Sequence, residues 1–332
     1  MHNKTEVFNI LHLFITSMRV TISLMLALFI LIPTVSVTSD SSNVETWDDA
    51  RHKKDSGTVG GISVSLSNDS ADQNIIMDFE DFPTIVETYT ATWCENCVMV
   101  EQTRDQALNN RNSTIIHYHR HYYETQDPFG DNTTENRWEL NYGTASTIAL
   151  GASRLAPTTI LDGERMHPGH RPKSDSLKDD FVTSISVGST APLLGNISLS
   201  ITKNYSNTNS ENSTLFSWST SNLVSNCMDS CSNSVSTSAW LLFVEDVAYF
   251  PEGSNDLEYY HHVLHHVVLL DGLDGTMEYT YPSAWDGDDM SAILIVDWIE
   301  KENDDNFFPG PSIILTLACV LISSLVYSKK KQ

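Results

Sequence analysis

Trp93-Cys94-Glu95-Asn96-Cys97 sets two thiols two residues apart, a spacing that either closes into a small reversible disulfide or supplies half of a zinc site. A zinc site needs a second ligand pair, and the other close cysteines, Cys227 and Cys231, fall far downstream in what reads as a separate domain. The flanks favour redox chemistry. Pro83 to Thr92 is rich in β-branched and aromatic residues and predicts a strand. Val98 to Leu108 lacks Gly and Pro, carries Val100, Ala107 and Leu108, and runs into Asn109-Asn110, which predicts a helix with a polar end. That order puts Cys94 at a helix N-terminus, where unpaired N–H groups and the helix dipole stabilise a thiolate. Cys94 is then the catalytic nucleophile, and Cys97, one turn into the helix, resolves the mixed disulfide. A static disulfide or two buried thiols is the competing alternative.

The elements around the motif alternate. A strand at Ile75 to Phe79 precedes the Cys-bearing strand and helix, and Ser113 to Tyr122 predicts the next strand. A loop with Asp127-Pro128-Phe129-Gly130 leads to a helix over Thr133 to Tyr142 that stops before Gly143. Ala156-Pro157-Thr158-Thr159-Ile160-Leu161 then reads as a strand turning at Asp162-Gly163 into a hairpin, and Leu177, Phe181, Val182 and Ile185 mark one face of a last helix. Alternating strands and helices predict an α/β layer fold over residues 75–187.

With that order in place, this segment resembles a thioredoxin-fold thiol–disulfide oxidoreductase domain. The matching features are Trp93-Cys94-x-x-Cys97, the downstream Ala156-Pro157-Thr158, the Asp162-Gly163 hairpin and the terminal helix. The resemblance implies a cis Pro157 lying against the Cys94–Cys97 redox-active disulfide, with Trp93, Ala156 and Pro157 as substrate-binding positions. Two departures stand out. Thr144 to Ala156 separates the helix-ending glycine from the proline, where thioredoxins keep only a few residues. The family's buried proton-transferring acid would fall at Thr88, leaving Glu87, on the other face of the strand, as the candidate proton acceptor. Glu95 beside Cys94 disfavours the thiolate, so the motif is expected to be a less extreme oxidant than one with His in that loop.

The chain ends predict where this chemistry happens. Met18-Arg19, the apolar run Val20 to Pro33 and the small residues Val35 to Ser39 predict a signal peptide or signal anchor over 1–39. Residues 40–74, rich in Ser, Asp, Asn and Gly, read as a flexible stalk. After a linker at 302–311, residues 312–328 are apolar and just long enough to span a membrane, and Lys329-Lys330-Lys331 belong to a cytoplasmic basic tail at 329–332. The body then faces the extracytoplasmic side of a cell membrane as a single-pass protein. Pro309-Gly310, the span and the basic end also resemble the processed C-terminal sorting signals of archaeal surface proteins. Sequons begin at Asn68, Asn112, Asn132, Asn196, Asn204 and Asn212 and make the exported part a candidate glycoprotein. With 43 acidic against 19 basic residues and a net charge of −24, nucleic-acid binding is disfavoured and an acidic, solvated surface is expected.

Residues 188–301 change character. Leu194 to Thr202, Thr214 to Trp218, Ala239 to Phe250, His262 to Leu270, Met277 to Tyr281 and Ala292 to Trp298 predict the strands of an all-β, sandwich-like domain. A thioredoxin-like domain followed by Leu241 to Asp246 and Tyr260 to Leu264 looks like a bacterial outer-membrane-protein family that joins such a domain to a β-domain. Cys227 and Cys231 form a candidate structural disulfide, with a thiol relay as its sharper alternative, and Cys319 is a buried thiol in the apolar tail. His117, His119 and His121 alternate on one strand face, while His261, His262, His265 and His266 cluster, but no local metal-ligand set is complete. Asp271 to Gly275 and Asp286 to Asp289 read as solvated turns, lacking a full Ca²⁺ loop.

These observations converge on a membrane-anchored, extracytoplasmic thiol–disulfide oxidoreductase acting through its own cysteines, with no cofactor, on thiols or disulfides of exported proteins and with a further redox partner. Two alternatives remain: a surface binding or adhesion protein using the fold as a scaffold, and a copper metallochaperone.

Overall fold

The computed structural model describes residues 46–53, 55–203, 213–226 and 235–300. The predicted signal segment, the sequon asparagines Asn204 and Asn212, Cys227, Cys231, Cys319 and the predicted membrane span lie outside the described residues. Among the described residues no helix is long and apolar enough to cross a membrane.

The chain opens with β1 (Asp48–Asp49), β2 (Ser56–Ser65) and β3 (Gln73–Asp78). β4 (Thr84–Thr90) then runs straight into the cysteine motif and helix α1 (Glu95–Leu108), followed by β5 (Ser113–His119). α1 ends where Asn109 takes a left-handed conformation (φ 46°), which asparagine tolerates better than most residues. Helix α2 (Asn132–Trp138) is started by a capping box: Asp131 accepts the Thr133 and Thr134 N–H groups, and Thr134 accepts that of Asp131. A π-helical turn (Glu139–Gly143) carries it into α3 (Thr144–Leu150). The hairpin β6 (Thr158–Leu161) and β7 (Arg165–Pro168) and helix α4 (Leu177–Val187) follow. The remainder is all strand: β8 (Leu193–Leu194), β9 (Asn196–Lys203), β10 (Ser213–Ser219), β11 (Val224–Ser225), β12 (Val235–Tyr249), β13 (Tyr259–Leu269), β14 (Asp274–Thr280) and β15 (Met290–Glu300).

The result is a mixed α/β fold dominated by two sheets. Nine strands pair in the order β1-β7-β6-β4-β5-β13-β12-β15-β2, and four in the order β14-β10-β9-β3. β4 and β5 are parallel, as a connection through α1 requires. Alternation along β4 divides its side chains. Ile85 and Tyr89 join Ile116, Tyr118, Trp138, Tyr142, Trp240 and Leu242 on one face of the large sheet. Val86 packs on the other with Val100, Ala107 and Leu108 of α1 and Phe181 and Ile185 of α4. The small sheet contributes Ile197, Leu199, Ile201 and Phe216 to a third core with Leu241, Phe243, Leu294 and Val296 of the large one.

Several expectations are corrected. Residues 40–74 are not a stalk throughout, because β2 is buried along most of its length and pairs with β15. Its serines and glycines mask an apolar set, Val59, Ile62, Val64 and Leu66, and Gly60 is what lets Phe82 lie against the strand. The strand predicted to open the first domain, β3, pairs instead with β9 of the small sheet. Strands from both predicted domains, 75–187 and 188–301, share the large sheet through the parallel contact of Val263 with His117. Gly143 does not end its helix, and Thr144 to Leu150 is helical where a long connection was expected, since the π-turn absorbs the glycine without leaving helical geometry.

Candidate active site

Cys94 caps α1 in an extended conformation and is disulfide-bonded to Cys97, with Cα atoms 5.3 Å apart. Both are buried, Cys97 the more so at 1% exposure, whereas Glu95 and Asn96 are exposed. The disulfide sits in a small apolar cluster with Ala91, Trp93 and Ala156. Ala156-Pro157 is a cis peptide, and Pro157 O accepts Gly169 N–H at 2.8 Å. The structure therefore brings together Trp93, Cys94, Cys97, Ala156 and the adjoining Pro157.

The loop that delivers Cys94 is clamped from two sides. Thr92 N donates to Asp127 Oδ2 at 2.8 Å, while Thr92 O accepts from Ser254 N at 3.0 Å and Tyr260 Oη at 3.2 Å. The connection between β12 and β13 thus buttresses the motif, and Gly253 is required there because a Cβ would collide with the Tyr260 hydroxyl. Trp93 Nε1 donates to Glu124 Oε2 at 2.9 Å, and Arg120 stacks on the indole with 6.0 Å to its centroid. Burial raises the Glu124 carboxyl, but bonds from the Gln126 and Thr125 N–H groups and Trp93 outweigh it and hold the group below the usual carboxylate range.

Glu87 does not reach the disulfide. It lies fully buried on the opposite face of β4, accepting from Tyr118 Oη at 2.6 Å and from Arg137 and the Tyr142 hydroxyl. The strand alternation that set Glu87 apart from Thr88 operates as expected, and Arg137 satisfies the acid. Arg137 also approaches Asp297 of β15 at 3.4 Å, and Arg51 binds the same carboxylate at 2.7 Å. This is a buried charge network beneath the sheet, remote from the cysteine cluster.

At Thr88 the hydroxyl accepts from Arg104 Nη1 at 3.0 Å, and Arg104 also meets His117 Nε2 at 2.9 Å and Asp105 Oδ1 at 2.8 Å. Thr90 donates to Glu101 Oε1 at 2.8 Å. Thr90, Glu101, Arg104, Asp105 and His117, with His119, Tyr260 and His262, line a cavity of about 290 Å³ between α1 and β13. Of the three alternating histidines, His117 and His119 share this cavity and His121 lies beyond the strand end. Among the described residues no group of three His, Cys, Asp or Glu side chains has the geometry to hold a metal ion. The acidic turns use their carboxylates locally: Asp289 accepts Val247 N at 2.9 Å and Asp286 accepts Tyr249 N at 3.1 Å.

No protein-family model matches the sequence. No curated protein matches it either. Among solved structures, a structural-genomics protein from Agrobacterium tumefaciens is 14% identical over 59% of this chain and 78% of its own, with a TM-score of 0.34. HBP35 of Porphyromonas gingivalis is 14% identical over 68% of this chain and 65% of its own, with a TM-score of 0.36. Likeness of this degree fixes neither a fold family nor an activity.

Glu101, Arg104, Asp127, Glu124 and Tyr260 are site residues that the sequence did not single out. Asp127 was visible only as part of a turn, and nothing in its neighbours announces that it is buried. Glu101 carried one usable signal, its place four residues after Cys97 on a helix.

Proposed function

We propose that the protein is a membrane-anchored, extracytoplasmic thiol–disulfide oxidoreductase of thioredoxin type that acts on exported proteins. The observation that carries this is the Cys94–Cys97 disulfide at the N-terminus of α1, packed against Ala156 of a cis Ala156-Pro157 peptide. The strand order β5-β4-β6-β7 with α1 and α4 packed on one face supports a thioredoxin-like module, and the core shared by the two sheets supports a sandwich-like β-module beside it. The membrane anchor rests on the sequence of residues 312–328.

In this account Cys94, at the positive end of the α1 dipole, attacks a substrate disulfide as the thiolate. A Cys94–substrate bond forms, the first substrate sulfur leaves with the electron pair, and Cys97 then displaces the second substrate sulfur to restore Cys94–Cys97. Trp93, held by Glu124 and Arg120, walls the approach to Cys94, and Ala156 lies beside it as the backbone position against which an extended substrate docks. Run in reverse, the same steps oxidise a substrate dithiol.

Reduction of insulin disulfides by the full-length protein, supplied with a dithiol reductant, tests the proposal. Wild type accelerates the reaction and Cys94→Ser abolishes it; full activity in the variant contradicts the proposal.

A further inference from the structure

Making or breaking the Cys94–Cys97 bond moves protons as well as electrons, and at 1% exposure the Cys97 thiol has no direct route to bulk water. One turn further along α1, at Glu101, the cavity between α1 and β13 begins, and its volume of about 290 Å³ has room for several waters. Two of its walls carry groups that exchange protons. Glu101 stands one turn beyond Cys97 on the same face of α1, an arrangement that brings Cβ atoms to about 5–6 Å of each other. His119 stands on β5 with its side chain 1% exposed and its Nδ1 2.9 Å from Asp127 Oδ2. Asp127 also accepts the N–H groups of Thr92 and Phe129, so it is a carboxylate that fixes the imidazole proton on Nδ1. Nε2 is thereby left as an acceptor, and it is buried without a hydrogen-bond partner on a residue that lines the cavity.

We infer that Glu101 and His119, the latter oriented by Asp127, form a proton-exchange station for Cys97, an inference that rests on the thiol–disulfide reading above. In the resolving step the Cys97 thiol gives its proton to the Glu101 carboxylate while its sulfur attacks Cys94 Sγ. The Cys94–Cys97 bond forms as the bond from Cys94 to the substrate sulfur breaks, and that bond's electron pair leaves on the substrate as a thiolate. Glu101 passes the proton across the cavity to His119 Nε2, giving an imidazolium paired with Asp127, which releases it to solvent at the cavity mouth. In the opposite direction the station returns the proton to Cys97.

The neighbours favour this division of labour. Burial raises the Glu101 carboxyl, against the pull of Arg104 and the Thr90 hydrogen bond, and so brings it nearer to a thiol. Arg104 itself is tied to Asp105, Thr88 and His117. Burial, with Arg104 alongside, holds His117 well below its ordinary value, and burial lowers His262 as well, against the opposing pull of Asp246. Burial pushes Tyr260 up to about 12, so it keeps its proton. Tyr259 and His261 complete the titratable groups that β13 brings to the cavity.

The test follows release of a peptide thiol from a mixed disulfide on Cys94 of the full-length reduced protein, as a function of pH. Glu101→Gln and His119→Ala are expected to slow release roughly 10²-fold near neutrality, with a rate that climbs as hydroxide replaces the station. Imidazole added to His119→Ala restores the rate by entering the space the side chain filled, and Glu101→Asp, which keeps a carboxyl, restores part of it. On the unaltered protein, release is expected to slow in D₂O, a measurement that needs no variant to fold. A wild-type pH profile in Glu101→Gln, or release insensitive to D₂O, overturns the station while leaving the underlying reading intact. Cys94→Ser that still reduces insulin overturns that reading itself.

Discussion

One carboxylate oxygen, Asp127 Oδ2, serves both His119 and the backbone that leads to Cys94: it lies 2.9 Å from His119 Nδ1 and 2.8 Å from Thr92 N. The other oxygen accepts Phe129 N at 3.1 Å. Removing this acid orphans three buried donors at once. Asp127→Ala is therefore expected to destabilise the protein by about 3 kcal/mol or more, since each buried donor left without an acceptor costs about 1–3 kcal/mol, and Asp127→Asn by less. Urea unfolding with the disulfide intact measures both, and a loss below about 1 kcal/mol in the Ala variant contradicts the role assigned to the carboxylate.

The Glu87–Arg137 pair makes a separate prediction. Both side chains are fully buried, and Arg137 reaches on to Asp297, joining α2 to β4 and β15. Glu87→Leu alone or Arg137→Met alone strands a charge and should cost about 3–5 kcal/mol, whereas the double variant should cost less than the sum of the two. A double-mutant cycle in urea reads this coupling directly. Additive losses would mean that the two side chains do not depend on each other. Insulin reduction by the folded variants should persist, because the network lies away from the cysteines.

Acid should weaken the fold in two windows. His167 is buried against Phe181, with ring centroids 4.8 Å apart, and desolvation drops it to about 3. An unfolded histidine titrates near 6.5, so between about pH 6.5 and 3 the unfolded chain binds the extra proton, and stability falls by up to about 1.4 kcal/mol per pH unit for this group. His167→Phe removes that share of the slope, leaving the shares of His117 and His262, whose values are shifted the same way. Asp131 acts lower. Burial raises it, but bonds from His266, Thr133 and Thr134 N prevail and bring it to about 2, so its contribution is present above about pH 4 and is lost as pH falls toward 2. Chemical unfolding at a series of pH values tests both windows.

Gly253→Ala probes the buttress between the β12–β13 connection and the cysteine loop. A Cβ there meets Tyr260 and comes 3.1 Å from Thr92 O. The expected outcome is a loss of about 1–3 kcal/mol, typical of overpacking, together with lower insulin-reducing activity, because Thr92 leads to Cys94. Unchanged stability and activity would show that the connection yields without disturbing the loop.

What the sequence made legible was local. The strand into Cys94, the helix after it, the polar stop at Asn109 and the later strands all follow from β-branched runs and from the absence of Gly and Pro, signals carried by neighbouring residues. The cysteines and Ala156 come together in space, which the resemblance to a thioredoxin-fold domain implied and the residue types alone did not. What it hid was long-range. Nothing near Val59 or Ile62 states that a Ser- and Gly-rich segment pairs with β15 at the far end of the chain, and nothing near Asp127 states that it ends up beneath Thr92. The face of Glu87 was legible from strand alternation, but its satisfaction by Arg137 and Tyr142 was not, because nothing local to β4 says that the helix carrying those two residues docks on that face.

The central claim is that Cys94 exchanges disulfides with protein thiols. Trapping tests it most directly: full-length Cys97→Ser, challenged with a disulfide-bearing exported protein, should accumulate a covalent adduct through Cys94 that is visible on a non-reducing gel and released by dithiothreitol. No adduct with Cys97→Ser, or an equal adduct with Cys94→Ser, would contradict the account.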